Sequence, residues 1–301
     1  MKYPDRTFRL VQWKKSIPAE IGLLGMVTPN KEKNIPNIKL SILVSLNGLS
    51  FCALSKKEKK ILFFKEVNFT RKLNPLEVLQ QIEKLYEQEE FLKNEKPEVL
   101  VLYSNELYSL VPKSLFSEEN ASDYLKFNTR ILETDYITED HLEDAGIVNV
   151  FIPFTNINNF FFEQYGEFEY RHCQSVLVEH FLEQNRKQEG VPRVYLNCYT
   201  RGYDLVVIRN GKLLLANSFK CHTSEDFIYY LLFTAEQLEL DPSEFKLILL
   251  GKITANSDYY QMAYTYIRNI SFLETSFGYS FPFKEEPPKG YMHFTLFKAL
   301  S

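Results

Sequence analysis

Apolar and polar positions along this chain fall into the same order twice. From Leu40 to Leu54 an alternating, strand-like run reaches a turn at Asn47-Gly48 and leaves it in a second apolar run. From Val194 to Ile208 the pattern returns, and with no gap Gly48 falls on Gly202. A third strand follows each pair, at Lys60–Asn68 and at Leu213–Phe219, the latter after Asn210-Gly211, a strong hairpin dipeptide. Helix signals come next. Asn74-Pro75 supplies an N-cap and a proline at the first helical position, and Thr223-Ser224-Glu225-Asp226 an N-cap with acids in the first turn. Leu76, Leu79, Ile82 and Leu85 form the buried stripe expected of one helix, and Phe227, Leu231, Ala235 and Leu238 that of the other. Short apolar runs at Glu98–Tyr103 and Lys246–Gly251 then read as buried parallel strands. Five elements repeated in order predict two related lobes with a cleft between them, where ligands commonly bind.

The halves differ afterwards. Further strands are predicted at Ile147–Ile152 and, as its counterpart, Ile270–Leu273, which leaves a partly helical insertion around 104–146 in the first half. A helix over Gln174–Gln184 closes that half, and Gln188, Glu189, Gly190 and Pro192 mark a boundary. The division is therefore an extension at 1–37, a first lobe at 38–190 and a second at 191–301.

Composition narrows the function classes. Aromatics are 15% of the 301 residues, so core material is plentiful and disorder is not expected. A net charge of −4 without a basic tail argues against nucleic acid, because phosphate binding needs concentrated Lys and Arg. The run Lys56-Lys57-Glu58-Lys59-Lys60 lies between strands and reads as a solvated turn. Four cysteines make no disulfide framework in a chain this long. No apolar run approaches the roughly 18 residues of a membrane span, and the start lacks a signal-peptide core, so a cytoplasmic location is expected.

The repeated order resembles the actin-like ATPase fold, an α/β architecture of two ribonuclease-H-like lobes. Leu40-Ser41-Ile42-Leu43-Val44-Ser45-Leu46-Asn47-Gly48-Leu49-Ser50-Phe51 resembles the opening strands of an uncharacterised bacterial family with that fold. Asn210-Gly211 and the helix opening Ser224-Glu225-Asp226-Phe227-Ile228-Tyr229-Tyr230 are similar to the actin-like proteins of type IV pilus assembly. The resemblance implies a hairpin Asp-x-Gly-Thr/Ser in each lobe, the aspartate holding hydrated magnesium and the hairpin N–H groups cradling phosphates. Here the aspartate slots hold Leu46, preceded by Ser45, and Thr200, followed by Arg201. The paired glycines of the adenosine site are reduced to Gly251 followed by Lys252. Lys39–Leu46 also lacks the carboxylates of a ribonuclease-H-type nuclease. Asn47, Gly48, Ser50, Thr200, Arg201, Gly202, Gly251 and Lys252 are thus a residual nucleotide-binding set, with weak ATP binding the most cofactor use expected and no metal site.

Other chemistry is sparse. His172-Cys173 and Cys221-His222 are adjacent pairs, whereas zinc ligands are spaced by two to five residues. His180 and His293 lie among apolar residues, no base stands beside Cys198, and Lys252 reads as a solvated loop charge. The densest aromatic stretch runs from Phe151 to Tyr170. If Asn158–Tyr165 is helical, Phe160, Phe161 and Phe162 span about 200° of its circumference. One ring must then leave the main core. It either fills the groove beside the Gln174–Gln184 helix or forms an apolar patch rimmed by Glu163, Gln164 and Glu167, a protein-binding surface. The reading is a non-enzymatic scaffold for an unidentified protein partner or for self-association. The alternative is an atypical ATPase or sugar-kinase-like enzyme taking a metal ligand from Asp204 or Asp258.

Overall fold

The computed structural model describes residues 37–126, 131–132, 135–281 and 288–301, so residues 1–36 of the expected extension lie outside the described part. The first half comprises β1 (Ile38–Ser45), β2 (Gly48–Ser55), β3 (Lys60–Asn68), α1 (Pro75–Gln88), α2 (Glu90–Asn94) and β4 (Glu98–Ser104). It continues with β5 (Tyr108–Pro112), α3 (Ala121–Lys126), β6 (Thr138–Leu142), β7 (Ile147–Phe151), α4 (Thr155–Tyr165), β8 (Glu169–His172) and α5 (Cys173–Asn185). The second half comprises β9 (Arg193–Tyr199), β10 (Gly202–Arg209), β11 (Lys212–Lys220), α6 (Ser224–Gln237), β12 (Lys246–Gly251), α7 (Asp258–Tyr266), β13 (Asn269–Phe272) and α8 (Phe294–Lys298).

Two five-stranded sheets follow one plan, β3-β2-β1-β4-β8 and β11-β10-β9-β12-β13. In each, the first three strands form an antiparallel meander and the last two run parallel to the first. The helix after each meander begins with a complete capping box, Asn74 with Glu77 and Thr223 with Asp226. The buried stripe of α1 is Val78, Ile82, Leu85 and Tyr86; Leu76, expected in it, is exposed at the first turn.

One expected equivalence is corrected. The counterpart of β13 is β8, not the strand at 147–151, because β8 pairs with β4 as β13 pairs with β12. Strand β7 instead joins β5 and β6 in a separate three-stranded antiparallel sheet, so the insertion is a small sheet with a short helix. β8 reads Glu-Tyr-Arg-His and offers no apolar run to reveal it.

Each sheet is covered on its outer face by two helices, α1 with α4 and α6 with α7. Between the sheets lie α5 and α8. Leu177, Val178, Phe181 and Phe294 pack on Tyr195, Val206 and Ile208 of the second sheet. Val176, Leu296, Phe297 and Ala299 pack on strands of the first. The last helix therefore bridges both sheets rather than staying with the second. As a result β2 is buried along its whole length and β10 along all but its last residue. Any polar side chain on those strands is desolvated, which decides the chemistry of Asp204.

Candidate functional site

A cleft of about 1150 Å3, counting space open to solvent, lies at the carboxyl ends of β1, β4, β9 and β12, where ligands of open α/β sheets usually sit. Asn47, Gly48, Ser50, Thr200, Gly251 and Lys252 of the expected set line it together. Arg201 and Gly202 are not among its lining residues; Arg201 is exposed, and its carbonyl accepts the Cys221 N–H.

Both conserved turns of the repeat are explained by packing. A Cβ on Gly48 would lie 2.6 Å from the Val67 carbonyl oxygen, and one on Gly202 only 2.1 Å from that of Phe219. Gly202 also has φ of 152°, which side chains disfavour. Each glycine lets the third strand of its meander close over the hairpin. Ser45 Oγ finishes the first turn, donating to the Gly48 carbonyl and accepting from Asn47 N–H.

The cleft is crossed by polar contacts. Lys252 Nζ lies 2.6 Å from Glu66 Oε1 and also donates to Asn68 Oδ1, both on β3 of the opposite sheet. This corrects the solvated reading of Lys252, which the sequence could not pair with a residue so distant. His293 Nε2 lies 3.8 Å from the other Glu66 oxygen, and burial lowers its pKa. Deeper in the cleft, Asp204 accepts from Ser218 Oγ at 2.7 Å and from Asn197 Nδ2 at 3.1 Å. Ser218 gives its proton to Asp204, so the Tyr108 hydroxyl 2.9 Å away donates to Ser218. Tyr108 belongs to the insertion in the first half, so this chain too joins the lobes. Lys220 and Glu106 pair beside it. Burial pushes the Asp204 carboxyl up to about 6, against the lowering effect of its two donors.

Ser104, Asn105, Glu106, Asn197 and Tyr199 also line the cleft and were not picked out from the sequence, and His293, read there as a histidine among apolar residues, lines it too. Ser104 ends β4 and Asn105 and Glu106 directly follow it, at the carboxyl end of a parallel strand, and topology alone could have pointed to them. Asp258 stands at the start of α7, outside the lining residues. His172 is buried as the N-cap of α5, its Nδ1 accepting from Gln174 N–H and its Nε2 facing the Asn105 carbonyl. All four cysteines are free and buried.

Phe161 is fully buried, and Phe160 and Phe162 are half-buried against the same core. Phe160 and Phe161 meet Tyr86 of α1, and Phe162 packs on the same core, which contains no residue of α5. Phe160 meets Tyr86 edge-on at 5.0 Å, and the Tyr86 and Tyr165 hydroxyls are 2.7 Å apart. Among the described residues no helix is long and apolar enough to cross a membrane.

Two duplicated sheets enclosing such a cleft define an actin-like ATPase fold. A protein of that fold and unknown function from Bacteroides thetaiotaomicron superposes with a TM-score of 0.70 at 24% identity, over 83% of this chain and 94% of that one. The PilM-PilN type IV pilus biogenesis complex gives 0.56 at 12% identity, over 87% and 97%. The chain belongs to the family described as protein of unknown function, DUF3822, which it matches over residues 28–270. No curated protein matches it significantly.

Proposed function

We propose that this protein is an actin-fold scaffold that binds another protein and does not turn over nucleotide. The observation that carries the reading is the state of the cleft. The two hairpin slots hold Leu46 and Thr200, and the carboxylates nearby are already engaged, Glu66 by Lys252 and Asp204 by Asn197 and Ser218. Magnesium takes oxygen ligands in near-ideal octahedral geometry, usually including a carboxylate, so this donor set does not fit magnesium-ATP. Asn47, Gly48, Ser50, Thr200, Gly251 and Lys252 could at most hold a nucleotide weakly. A similar fold in the PilM-PilN complex supports a protein partner.

A thermal-shift screen with magnesium-ATP, ADP and sugars tests the reading. A ligand at a hundred times its dissociation constant stabilises by about 2.7 kcal/mol. No rise that depends on magnesium is expected, and a larger rise with magnesium-ATP than with ATP and chelator overturns the proposal, whereas a small rise common to both registers only the residual nucleotide site. Asp204 favours a second reading, since a cleft carboxyl titrating near 6 is suited to general-base work. In that case Asp204→Asn abolishes turnover while leaving ligand binding.

A further inference from the structure

The outer face of α6 is apolar where its duplicate is polar. Tyr229 and Phe233 are 61% and 47% exposed, one turn apart, with stacked rings 6.0 Å between centroids. Tyr229 also meets Tyr230 at 5.5 Å, and Tyr230 stacks on Phe219 of β11 at the same distance. A row of four rings thus runs from the solvent face of α6 to β11, the edge strand of its sheet. Superposing the capped helix starts, Asn74 on Thr223, puts exposed Gln80 and Lys84 of α1 where α6 has Tyr229 and Phe233. The same helix in the same setting folds with polar residues at these positions, so the rings are not demanded by the architecture.

On the two helices beside the exposed rings the charges have one sign, and the cation next to the row, Lys220 after Phe219 on β11, is paired with Glu106. Glu225 and Asp226 precede Tyr229 by one turn, Glu236 follows Phe233, and Asp258 opens the adjacent α7; neither helix contains a Lys or Arg. We infer that the Tyr229–Phe233 face of α6 is a docking surface for a segment of another protein that carries Lys or Arg beside apolar side chains. Apolar anchors would cover the stacked rings, and the cations would meet the acids and the faces of the tyrosines. A second copy of this chain fits less well, because it would set one acidic rim against another. The inference rests on the scaffold reading and names the surface and partner chemistry for it.

A displayed library of short random peptides, selected on the whole protein and counter-selected on the Tyr229→Gln/Phe233→Lys variant, provides the test. Enriched sequences should place Lys or Arg next to apolar residues. One such peptide, titrated by fluorescence polarisation, should bind the variant at least about tenfold more weakly than wild type, the loss expected when central anchors are removed. Tyr229→Gln alone should give a smaller loss, which keeps the test valid if the double variant folds poorly. Acidic or no enriched sequences, equal binding to the variants, or wild-type self-association that the substitutions abolish would each overturn the inference. None of these outcomes alters the magnesium-ATP screen, so this surface can fail while the scaffold reading stands.

Discussion

The two sheets share strand order, register and capped helices, yet they are finished differently at three matched places. In the outer helical layer, Tyr86 of α1 closes the seam with α4 through Phe160 and Tyr165, whereas the matching position on α6 is Ala235 and the aromatic rings face solvent. At the free edge, β3 is bridged by Ser280, whose N–H and carbonyl bond Lys59 and Ile61; among the described residues nothing pairs with the outer edge of β11. Inside, the cross-strand pair Leu43 and Ser50 of the first hairpin becomes Asn197 and Asp204 in the second. Duplication thus preserves what holds a lobe together and frees the rest. The first lobe has been closed, and the second keeps a buried acid and an exposed apolar face.

Breaking the glycine turns should have the largest effect. Gly202→Ala adds a methyl 2.1 Å from the Phe219 carbonyl at an unfavourable φ, and a loss of about 4 kcal/mol or more is expected in urea titrations. Gly48→Ala, with its nearest backbone atom at 2.6 Å and an ordinary φ, should lose less. Equal losses would show that the hairpins are not packed as described.

The buried acid comes next. Its folded pKa of about 6 exceeds the ordinary 3.8, so folding favours the protonated carboxyl. That contribution is fully present below the ordinary value and is lost as pH rises through about 6. Stability relative to Asp204→Asn should fall by about 2 kcal/mol between pH 4 and 7, most of the shift at 1.36 kcal/mol per unit, because at pH 4 the unfolded carboxyl has already begun to ionise. Chemical denaturation across that range checks it; a constant difference would mean that Asp204 is not desolvated. The ion pair across the cleft should matter less. A double-mutant cycle of Lys252→Met and Glu66→Gln is expected to give a coupling below about 1 kcal/mol, because both side chains touch solvent.

The smallest effect sharpens the contrast between the outer layers. Tyr229→Gln should change stability by no more than about 0.5 kcal/mol, while Tyr86→Gln in the first lobe should lose several times as much. Similar losses for the two would place the α6 rings in the core.

What the sequence made legible was periodic or local. Alternation, an Asn-Gly turn and two capped helix starts sufficed for the duplicated meanders, because these rest on neighbours in the chain. β8 escaped because it has only four residues and no apolar run, its alternation resting on Tyr170 and His172 rather than on aliphatic side chains. The cleft was half legible. Its hairpin residues followed from the repeat, but the Lys252–Glu66 and Tyr108–Ser218–Asp204 contacts join residues that only the packing of the two lobes brings together. The role of Phe160–Phe162 depended on which helix lay alongside, and a one-face argument could not choose α1 over α5.

The central claim is that the cleft no longer performs magnesium-dependent nucleotide chemistry. Its most direct test is phosphate release from ATP by the purified protein with magnesium and with chelator, alongside Asp204→Asn. The account predicts equal background rates in all three. A magnesium-dependent rate in the wild type that Asp204→Asn removes would contradict it and establish an enzyme.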